Sequence, residues 1–431
     1  MAFASADVWS KIASGLRGSR RRRGNFEDLC ACGGRFAGSE SEMAAVAYLK
    51  NCIEVDFGRP AEVFACAFDG WARRSQSLAL LGPRGGADLD CHALVWSPAT
   101  PAKGLETEVL DLGRGLPDDI RANADAVRGR IVLVRHEYMF SSETMHRRWK
   151  YDAARECDAA GFLIASHLPG DLLVTGSSGR NRAEDIPAAA ITHEGAARLG
   201  AGGGTLPRVR LTVETAIGDA FAESLILDLP GETDERVVLS AHIDGHPLGE
   251  SAIDNATGLA VALDVARVLQ PHVAGLRRGL RLCLFNLEEG GLAGSARYVD
   301  GLSQRARDAI ALNVNLDSVG GDGRLTALTS DFPGVEKFLR TVPGCGAEDL
   351  RFYRPLMRNS DHYNFARHGI PAFRLVAGFD DPASKLRYVL TPADRRDLVT
   401  AQELERAAML TAAIVLEACA APALTLRNAA S

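Results

Sequence analysis

Acidic and imidazole side chains stand at the ends of three apolar runs in the C-terminal half of the sequence. The run VVLSA leads into His242 and Asp244, RLCLFNL leads into Glu288 and Glu289, and ALNVNL leads into Asp317. Imidazole and carboxylate groups are ligands of divalent transition metals. The pattern therefore indicates a metal site.

Asp254 adds a carboxylate, in the segment SAIDNATG directly ahead of a predicted helix whose N–H groups would steady it. Each residue also has an ordinary structural interpretation. Asp254 is a typical helix cap, a Glu-Glu pair is typical of solvated surface, and a histidine such as His242 is often only hydrogen-bonded. A metal site is nevertheless favoured, because independent structural causes rarely place four such residues in order at strand ends or a helix start. The four are His242, Asp254, Glu289 and Asp317.

The region after about residue 222 alternates between predicted strands and helices. Strands are predicted at 225–229, 237–241, 280–287, 311–316 and 372–376, and helices at 256–269, 291–299, 333–341, 361–368 and 401–420. This alternation indicates an α/β fold with a mixed, mostly parallel sheet and helices on both faces. Ligands of such sheets bind outside the carboxyl ends of the strands, which is where these acids and the imidazole fall.

Three parts are predicted along the chain, whose 431 residues are enough for more than one domain. Residues 1–84 and 216–431 are expected to form the catalytic domain. Residues 85–215 are expected to form a separate β-rich domain, because short β-prone runs there are divided by turn residues. The basic run Arg20 to Arg23 is interpreted as a solvated tail that precedes the first helix, predicted at 39–53.

The composition of the chain limits the classes of partner that we expect it to bind. The net charge of −6 comes without a concentrated basic surface, so neither a nucleic-acid partner nor an anionic membrane partner is expected. No run approaches the roughly 20 apolar residues of a membrane span, and no secretory signal is visible, so a cytoplasmic location is expected. The nine cysteines are odd in number and mostly isolated, as reduced thiols are. The sequence is compatible with a homo-oligomer.

The segments AHIDGH, SAIDNATGLA, FNLEEGGLAGSARYV and LNVNLDSVGG resemble the co-catalytic di-zinc aminopeptidase family, metallopeptidase family 28, in order and spacing. That family also contains glutamate carboxypeptidases, glutaminyl cyclases and the transferrin receptor ectodomain. NSDHYNFARHGIPAFRL is similar to its Ser-Asp-His element, and GGRFAGSESE to its Arg-x-x-Gly-Ser segment. The middle domain resembles the protease-associated domain inserted in many members, which is not catalytic and usually covers or restricts the active site.

The resemblance implies a role for each candidate residue. His242 and Asp317 become ligands of one metal, Asp254 becomes the bridging carboxylate, and Glu289 becomes a ligand of a second metal. Zinc is the metal that the family implies, although ligation rich in carboxylates would also admit manganese or cobalt. The implied fold is the zinc-peptidase type of α/β sheet.

Glu288 and Asp244 receive the remaining roles from the resemblance. Glu288 becomes the general base that takes a proton from the attacking water. Asp244 becomes the acid that orients His242, since a ligating histidine normally needs a carboxylate or carbonyl on its other nitrogen. The expected reaction is hydrolysis of an amide bond in a peptide or a small amide.

One family ligand is missing from this sequence. The family carries a histidine in a Tyr-His-Thr-Pro-x-Asp segment, whereas this chain reads RYVLTPAD there and has Leu390 at the histidine position. The second metal would therefore keep only Glu289 and the shared Asp254. Three residues are candidates for a substitute ligand or a substrate contact, namely His362, Tyr388 and His246.

Three functional hypotheses follow from the missing histidine. The chain is a hydrolase with one firmly held metal, or its second metal has a substitute ligand and its substrate differs from an ordinary peptide N-terminus, or it is a non-catalytic binding homologue. The alternative enzyme is a small-molecule amidohydrolase or cyclase on the same scaffold. The retention of Glu288 and Asp244 beside the ligands favours an active aminopeptidase-like hydrolase, because an inactive site has no need to hold several like charges together.

Overall fold

The computed structural model describes residues 6–82, 86–179, 182, 184–200, 206–346 and 350–427. The strands of this part are β1 Glu62–Leu81, β2 Ala87–Leu89, β3 Cys91–Ala93, β4 Leu105–Asp111, β5 Ile131–Arg135, β6 Gly161–Ala165, β7 Ala188–Ile191, β8 Arg208–Leu229, β9 Arg236–His242, β10 Gly279–Phe285, β11 Ile310–Leu316, β12 Leu325–Leu328, β13 Leu350–Tyr353 and β14 Ala372–Ala377. The α-helices are α1 Ala6–Leu16, α2 Arg20–Ala31, α3 Glu40–Phe57, α4 Pro117–Ala122, α5 Ala124–Val127, α6 Arg147–Glu156, α7 His193–Gly200, α8 Thr257–Val273, α9 Ala293–Gly301, α10 Gln304–Asp308, α11 Pro333–Leu339, α12 His362–Ala366 and α13 Ala401–Ala420.

The chain forms two compact units. The first contains residues 1–67, 221–389 and 394–431, and the second contains residues 68–220 and 390–393. The divisions near 67 and 220 fall inside the long strands β1 and β8, not in loops. The boundaries predicted from composition were 84/85 and 215/216, and residues 84 and 85 lie outside the described residues. The second unit begins earlier than composition suggested because it includes most of β1.

The first unit, called here the catalytic unit, is built on a sheet with the strand order β13-β12-β14-β11-β9-β10-β8. Strand β9 runs parallel to both β10 and β11, and β11 runs parallel to β14. Only the β12–β14 and β8–β10 pairs within this order are antiparallel. The central strands are buried along nearly their whole length, which explains their continuous apolar runs. The mixed, mostly parallel sheet predicted from the sequence is confirmed.

Helices pack on this sheet and fix its strand ends. Helix α8 contacts β9, β10 and β11 and packs against α13, while α12 contacts β11 and β14. Helix α13 begins with a capping box in which Thr400 and Glu403 satisfy each other's backbone N–H groups. Helix α3 begins at Ser39, whose side chain accepts a hydrogen bond from the N–H of Glu42, and ends at the left-handed Gly58.

The basic run Arg20 to Arg23 is not a solvated tail, as the sequence suggested. It opens helix α2, and the side chain of Arg22 is only 3% exposed. The Arg22 guanidinium donates a hydrogen bond to Asp264 of helix α8 at 3.0 Å. A buried guanidinium needs such a counter-charge. Arg22 therefore belongs to the interior of the catalytic unit, whereas Arg20 on the same helix is exposed.

The second unit, called here the inserted unit, contains the strand order β4-β5-β6-β7-β3. Strands β4 to β7 run parallel to one another, and β3 pairs antiparallel with β7. Helix α6 contacts β6 and α4. The unit is therefore rich in strands, as the sequence predicted. Among the described residues of both units, no helix is both long enough and apolar enough to cross a membrane.

Candidate metal centre

Two of the predicted ligands, Asp254 and Asp317, approach a nitrogen atom of a third, His242. His242 is the last residue of β9 and its side chain is 1% exposed. Its Nε2 lies 3.0 Å from Oδ1 of Asp254 and 3.5 Å from Oδ1 of Asp317. Asp317 follows β11, which runs parallel to β9, and Asp254 lies in the loop before α8. The parallel strands thus bring together residues that are far apart in sequence.

This group fits a divalent cation. His242 Nε2 and Asp254 Oδ1 are buried and have no hydrogen-bond partner within the described part of the chain, although only 3.0 Å separates them. Burial alone would lower the pKa of His242, but the carboxylates of Glu288, Asp254 and Asp317 outweigh this effect and raise it. The surroundings therefore favour positive charge. One imidazole and two carboxylates are ligands that zinc, manganese and cobalt accept.

A second group of ligand atoms lies next to the first. The side chains of His246, Asp254 and Glu289 each offer one ligand atom, and these atoms lie within 4.8 Å of one another. Nε2 of His246 is 2.5 Å from Oε1 of Glu289. His246 is only 3% exposed. Asp254 therefore faces both His242 and this second group, as a bridging carboxylate would.

Glu288 lies beside the first group of ligands. One of its carboxylate oxygens lies within 4.8 Å of ligand atoms of His242 and Asp317. Burial raises the pKa of Glu288 well above its usual range; His242 opposes the shift, and Glu289 adds to it. A carboxylate with a raised pKa is a better proton acceptor than an exposed one. Glu288 is therefore placed to take a proton at this centre.

The carboxylate of Asp244 does not orient His242, although the resemblance implied that it would. Its carboxylate accepts hydrogen bonds from the N–H groups of Glu288 and Glu289, each at 3.0 Å. Its main-chain oxygen, rather than its carboxylate, is nearest to Nδ1 of His242, at 3.0 Å compared with 3.8 Å. The carbonyl therefore orients His242, and the carboxylate fixes the turn that carries both glutamates.

Arg374 is a residue of the centre that the sequence analysis missed. It lies within the buried strand β14, and its Nη2 is 3.1 Å from Oδ1 of Asp317. Burial alone would raise the pKa of Asp317, but Arg374 and His242 outweigh this effect and lower it. A signal was present in the sequence, because a lone arginine inside the apolar run AFRLVA must find a counter-charge when buried.

Asp394 supports the loop that carries Asp254. Its carboxylate accepts a hydrogen bond from the N–H of Ile253 at 2.8 Å. The side-chain amide of Asn255 donates to the carbonyl of Leu316 at 2.8 Å and so ties this loop to the end of β11. The retained TPAD segment, which resembles the family's Thr-Pro-x-Asp, was the signal that could have identified Asp394.

The remaining candidates occupy different positions. His362 begins α12 and is fully buried; burial and the nearby Arg374 lower its pKa to about 3, which keeps it neutral. His362 is not a member of either ligand group found among the described residues. The hydroxyl of Tyr388 accepts a hydrogen bond from Arg387 at 3.0 Å. Leu390 groups with the inserted unit, and its side chain offers no ligand atom.

Two family models match the chain. Residues 224–415 match Peptidase family M28, and residues 102–199 match the PA domain. Aminopeptidase YwaD of Bacillus subtilis is 26% identical over 77% of this chain and 71% of its own length. Carboxypeptidase Q of Xenopus laevis is 24% identical over 62% of this chain and 58% of its own length. The probable lipoprotein aminopeptidase LpqL of Mycobacterium tuberculosis is 30% identical over 68% of this chain and 61% of its own length. The chain thus spans about three fifths of the length of the last two relatives.

Solved structures show the same fold. The Peptidase M28 precursor from Shewanella amazonensis aligns with a TM-score of 0.82 over 98% of this chain and 99% of its own, at 21% identity. BSAP, a zinc aminopeptidase from Bacillus subtilis, aligns with a TM-score of 0.74 over 94% of this chain and 96% of its own, at 24% identity.

A mixed sheet whose strand ends bring imidazole and carboxylate ligands around a buried glutamate defines a metal-dependent hydrolase. Within the catalytic unit, residues 224–415 match the model of peptidase family M28, and within the inserted unit, residues 102–199 match that of the PA domain. The resemblance noted from the sequence segments is therefore confirmed, including the inserted protease-associated domain.

Proposed function

We propose that the protein hydrolyses the amide bond of a peptide, with water as the nucleophile. The observation that carries this proposal is the convergence of His242, Asp254 and Asp317 beside the buried carboxylate of Glu288. Two of the relatives described above are named aminopeptidases and a third a carboxypeptidase, which supports a peptide rather than another amide as substrate.

His242, Asp254 and Asp317 would hold a divalent cation, with zinc as the first choice. Such a cation would supply Lewis-acid chemistry, which polarises a carbonyl oxygen and lowers the pKa of water to about 7. Glu288 takes the proton from the attacking water and returns it to the leaving amine. The carboxylate of Asp244 keeps Glu288 in place through the backbone N–H group that it accepts.

The test of the base is Glu288→Gln, which keeps the size of the side chain but removes its basicity. We expect peptide hydrolysis to fall by roughly 10² to 10⁴ while zinc content and the circular dichroism spectrum stay unchanged. Glu214→Gln, at an exposed position of β8, is the matched control and should keep full activity. Unchanged activity in Glu288→Gln would refute the proposed mechanism.

The substrate class is tested with a panel of compounds. Aminoacyl-arylamides report cleavage next to a free amino group, and N-acylated amino acids report the small-molecule amidohydrolase activity. We expect turnover of the arylamides. Turnover of only the N-acylated compounds would reassign the substrate, and no turnover of any compound by zinc-loaded protein would favour the non-catalytic binding role.

A further inference from the structure

The second group of ligands contains a histidine at a position where the family resemblance gave none. We propose that His246 supplies the imidazole ligand of a second divalent-cation site, completed by Glu289 and the shared carboxylate of Asp254. This inference rests on the proposed function, because it adds a second cation to the same centre. It also assigns the ligand that replaces the histidine lost at Leu390.

The distances place His246 within this site. Its Nε2 is 2.5 Å from Oε1 of Glu289. One ligand atom from each of His246, Glu289 and Asp254 lies within 4.8 Å of the other two. Ligands of a tetrahedral cation with bonds of about 2.0–2.2 Å are about 3.3–3.6 Å apart. An increase of about 1 Å in the separation of His246 Nε2 and Glu289 Oε1 would bring these two atoms to that ligand spacing.

Asp254, whose carboxylate takes part in both ligand groups, also indicates that a cation belongs here. This residue is only 8% exposed, and its Oδ1 has no hydrogen-bond partner within the described residues. An ionised carboxylate oxygen in such a place is costly unless a cation or a donor satisfies it. Oδ1 faces His242 Nε2 on one side, and the carboxylate also belongs to the group of His246 and Glu289. Cations held by the two groups would satisfy the Asp254 carboxylate.

An imidazole changes what this site can bind. Two carboxylates alone make a hydrated site that suits magnesium or calcium. A neutral imidazole nitrogen added to them favours zinc, cobalt or manganese, which accept mixed nitrogen and oxygen ligands. His246 therefore makes the second site one for the same class of cation as the first, although the family's own histidine has become Leu390.

The loop that carries His246 is held rigidly. The buried guanidinium of Arg35 donates hydrogen bonds to the carbonyls of Ile243 at 2.9 Å and Ser251 at 2.8 Å, on the two arms of the loop. The hydroxyl of Ser251 accepts a hydrogen bond from the N–H of His246 at 2.9 Å. A Cβ atom at Gly34 would lie 1.9 Å from the carbonyl oxygen of His246, so only glycine permits this approach. Such preorganisation is what a ligand position requires.

The experiment counts cations in the full-length protein. Zinc per chain is measured by elemental analysis after exhaustive dialysis, and cobalt(II) titration followed by visible absorption gives the affinity of each site. We expect two cations per chain in the unaltered protein and one in His246→Ala, in which binding of the second cation weakens by more than about 100-fold. His246→Cys should keep two zinc ions, because a thiolate is also a zinc ligand.

Two other histidine variants serve as controls. His362→Gln changes another buried histidine of the catalytic unit, and His272→Ala changes a histidine in the last turn of α8. Both should keep two cations per chain. Two cations per chain in His246→Ala would overturn the inference. So would a result in which only His362→Gln falls to one cation per chain.

The outcomes separate this inference from the proposed function. One cation in the unaltered protein and one in His246→Ala would overturn the second site and leave the hydrolase intact. No cation in the unaltered protein would overturn both proposals. Should circular dichroism show that His246→Ala is unfolded, His246→Asn, which is closer in size and polar, replaces it: one cation there supports the inference and two contradict it.

Discussion

Asp317 combines two electrostatic partners at the centre of the site. Its carboxylate lies 3.5 Å from His242 and 3.1 Å from the buried guanidinium of Arg374. Arg374 also donates a hydrogen bond to the carbonyl of Asn359 at 2.7 Å, so the segment before α12 holds it in place. The arginine therefore compensates part of the negative charge that gathers at the strand ends. Its contribution to stability should depend on whether a cation is bound.

We expect Arg374→Met to lower the free energy of unfolding of metal-free protein by about 3–5 kcal/mol, because it leaves the buried Asp317 without its counter-charge. The loss should be smaller in the zinc-loaded protein, where the cation takes over this role. Urea unfolding with and without a chelator measures both values. Arg324→Met, which removes a half-exposed pair with Asp381, is the control and should cost at most about 1 kcal/mol. Equal losses with and without zinc would contradict the explanation.

The sequence predicted which residue types meet at this centre but not how each side chain is used. Parallel strands end on one edge, so His242, Glu288 and Asp317 could be placed together from the pattern alone. The use of the Asp244 carbonyl in place of its carboxylate depends on side-chain torsions that no pattern specifies. The pairing of Asp317 with Arg374 joins residues that are 57 positions apart, and it depends on the register of β11 with β14.

At the scale of elements, a buried lysine of helix α6 pairs with a glutamate of a loop in the inserted unit. Lys150 of α6 is fully buried, and its ammonium group donates a hydrogen bond to Glu137 at 2.5 Å. It also donates to the carbonyls of Arg114 and Arg135, at 2.8 Å and 3.0 Å. The Glu137 side chain is 16% exposed. This pair fixes α6 to the end of β5.

Glu137→Gln is expected to destabilise the inserted unit by roughly 2–4 kcal/mol at pH 7, since it leaves the Lys150 charge buried without its partner. Burial alone would raise the pKa of Glu137, but Arg114 and Lys150 outweigh this and lower it. Its stabilising effect is therefore complete above the ordinary carboxylate pKa of about 4.3 and is lost as the pH falls through the lowered value. The difference between the two proteins should thus shrink below about pH 4.

Thermal unfolding followed at several pH values measures this difference. Glu143→Gln lies in the same segment at an exposed position and should leave the unfolding temperature unchanged. A difference that is the same at about pH 3 and at pH 7 would show that the charge of Glu137 is not what stabilises the unit.

The elements themselves were predictable to different degrees. The helices at 256–269 and 401–420 and the buried strands between them follow from long apolar patterns, and all of them form. Strand β1 was missed because Arg73 and Arg74 and the polar residues beside them interrupt its alternation, and most of its residues are exposed. Strands β12 and β13 were missed because four residues are too few to give a pattern.

At the scale of the whole molecule, all ligand candidates with imidazole or carboxylate groups belong to the catalytic unit. A cation that binds only the folded catalytic unit stabilises it by mass action, by about 4 kcal/mol when its concentration is 1,000 times the Kd. The inserted unit has its own buried strands, β5, β6 and β7. Metal removal should therefore affect the two units unequally.

We expect chelation of the metal to speed amide hydrogen exchange in β9, in the loop after it and at the start of α8. Exchange in β5 to β7 of the inserted unit should stay as it was. Mass-spectrometric exchange of the full chain before and after dialysis against a chelator measures both regions, and addition of zinc should restore the first. Equal acceleration in both units would contradict a metal effect that is confined to the catalytic unit.

The hydrogen bond from Arg35 to the carbonyl of Ile243 joins residues 208 positions apart. A ribosome that adds 5–20 residues per second needs roughly 10–40 seconds to synthesise that interval. During this time helices α1 and α2 exist without α8, although Ile12, Leu16, Phe26 and Leu29 on them are buried in the finished protein. These apolar side chains of the nascent chain therefore wait throughout that interval for α8, the helix against which α1 and α2 pack.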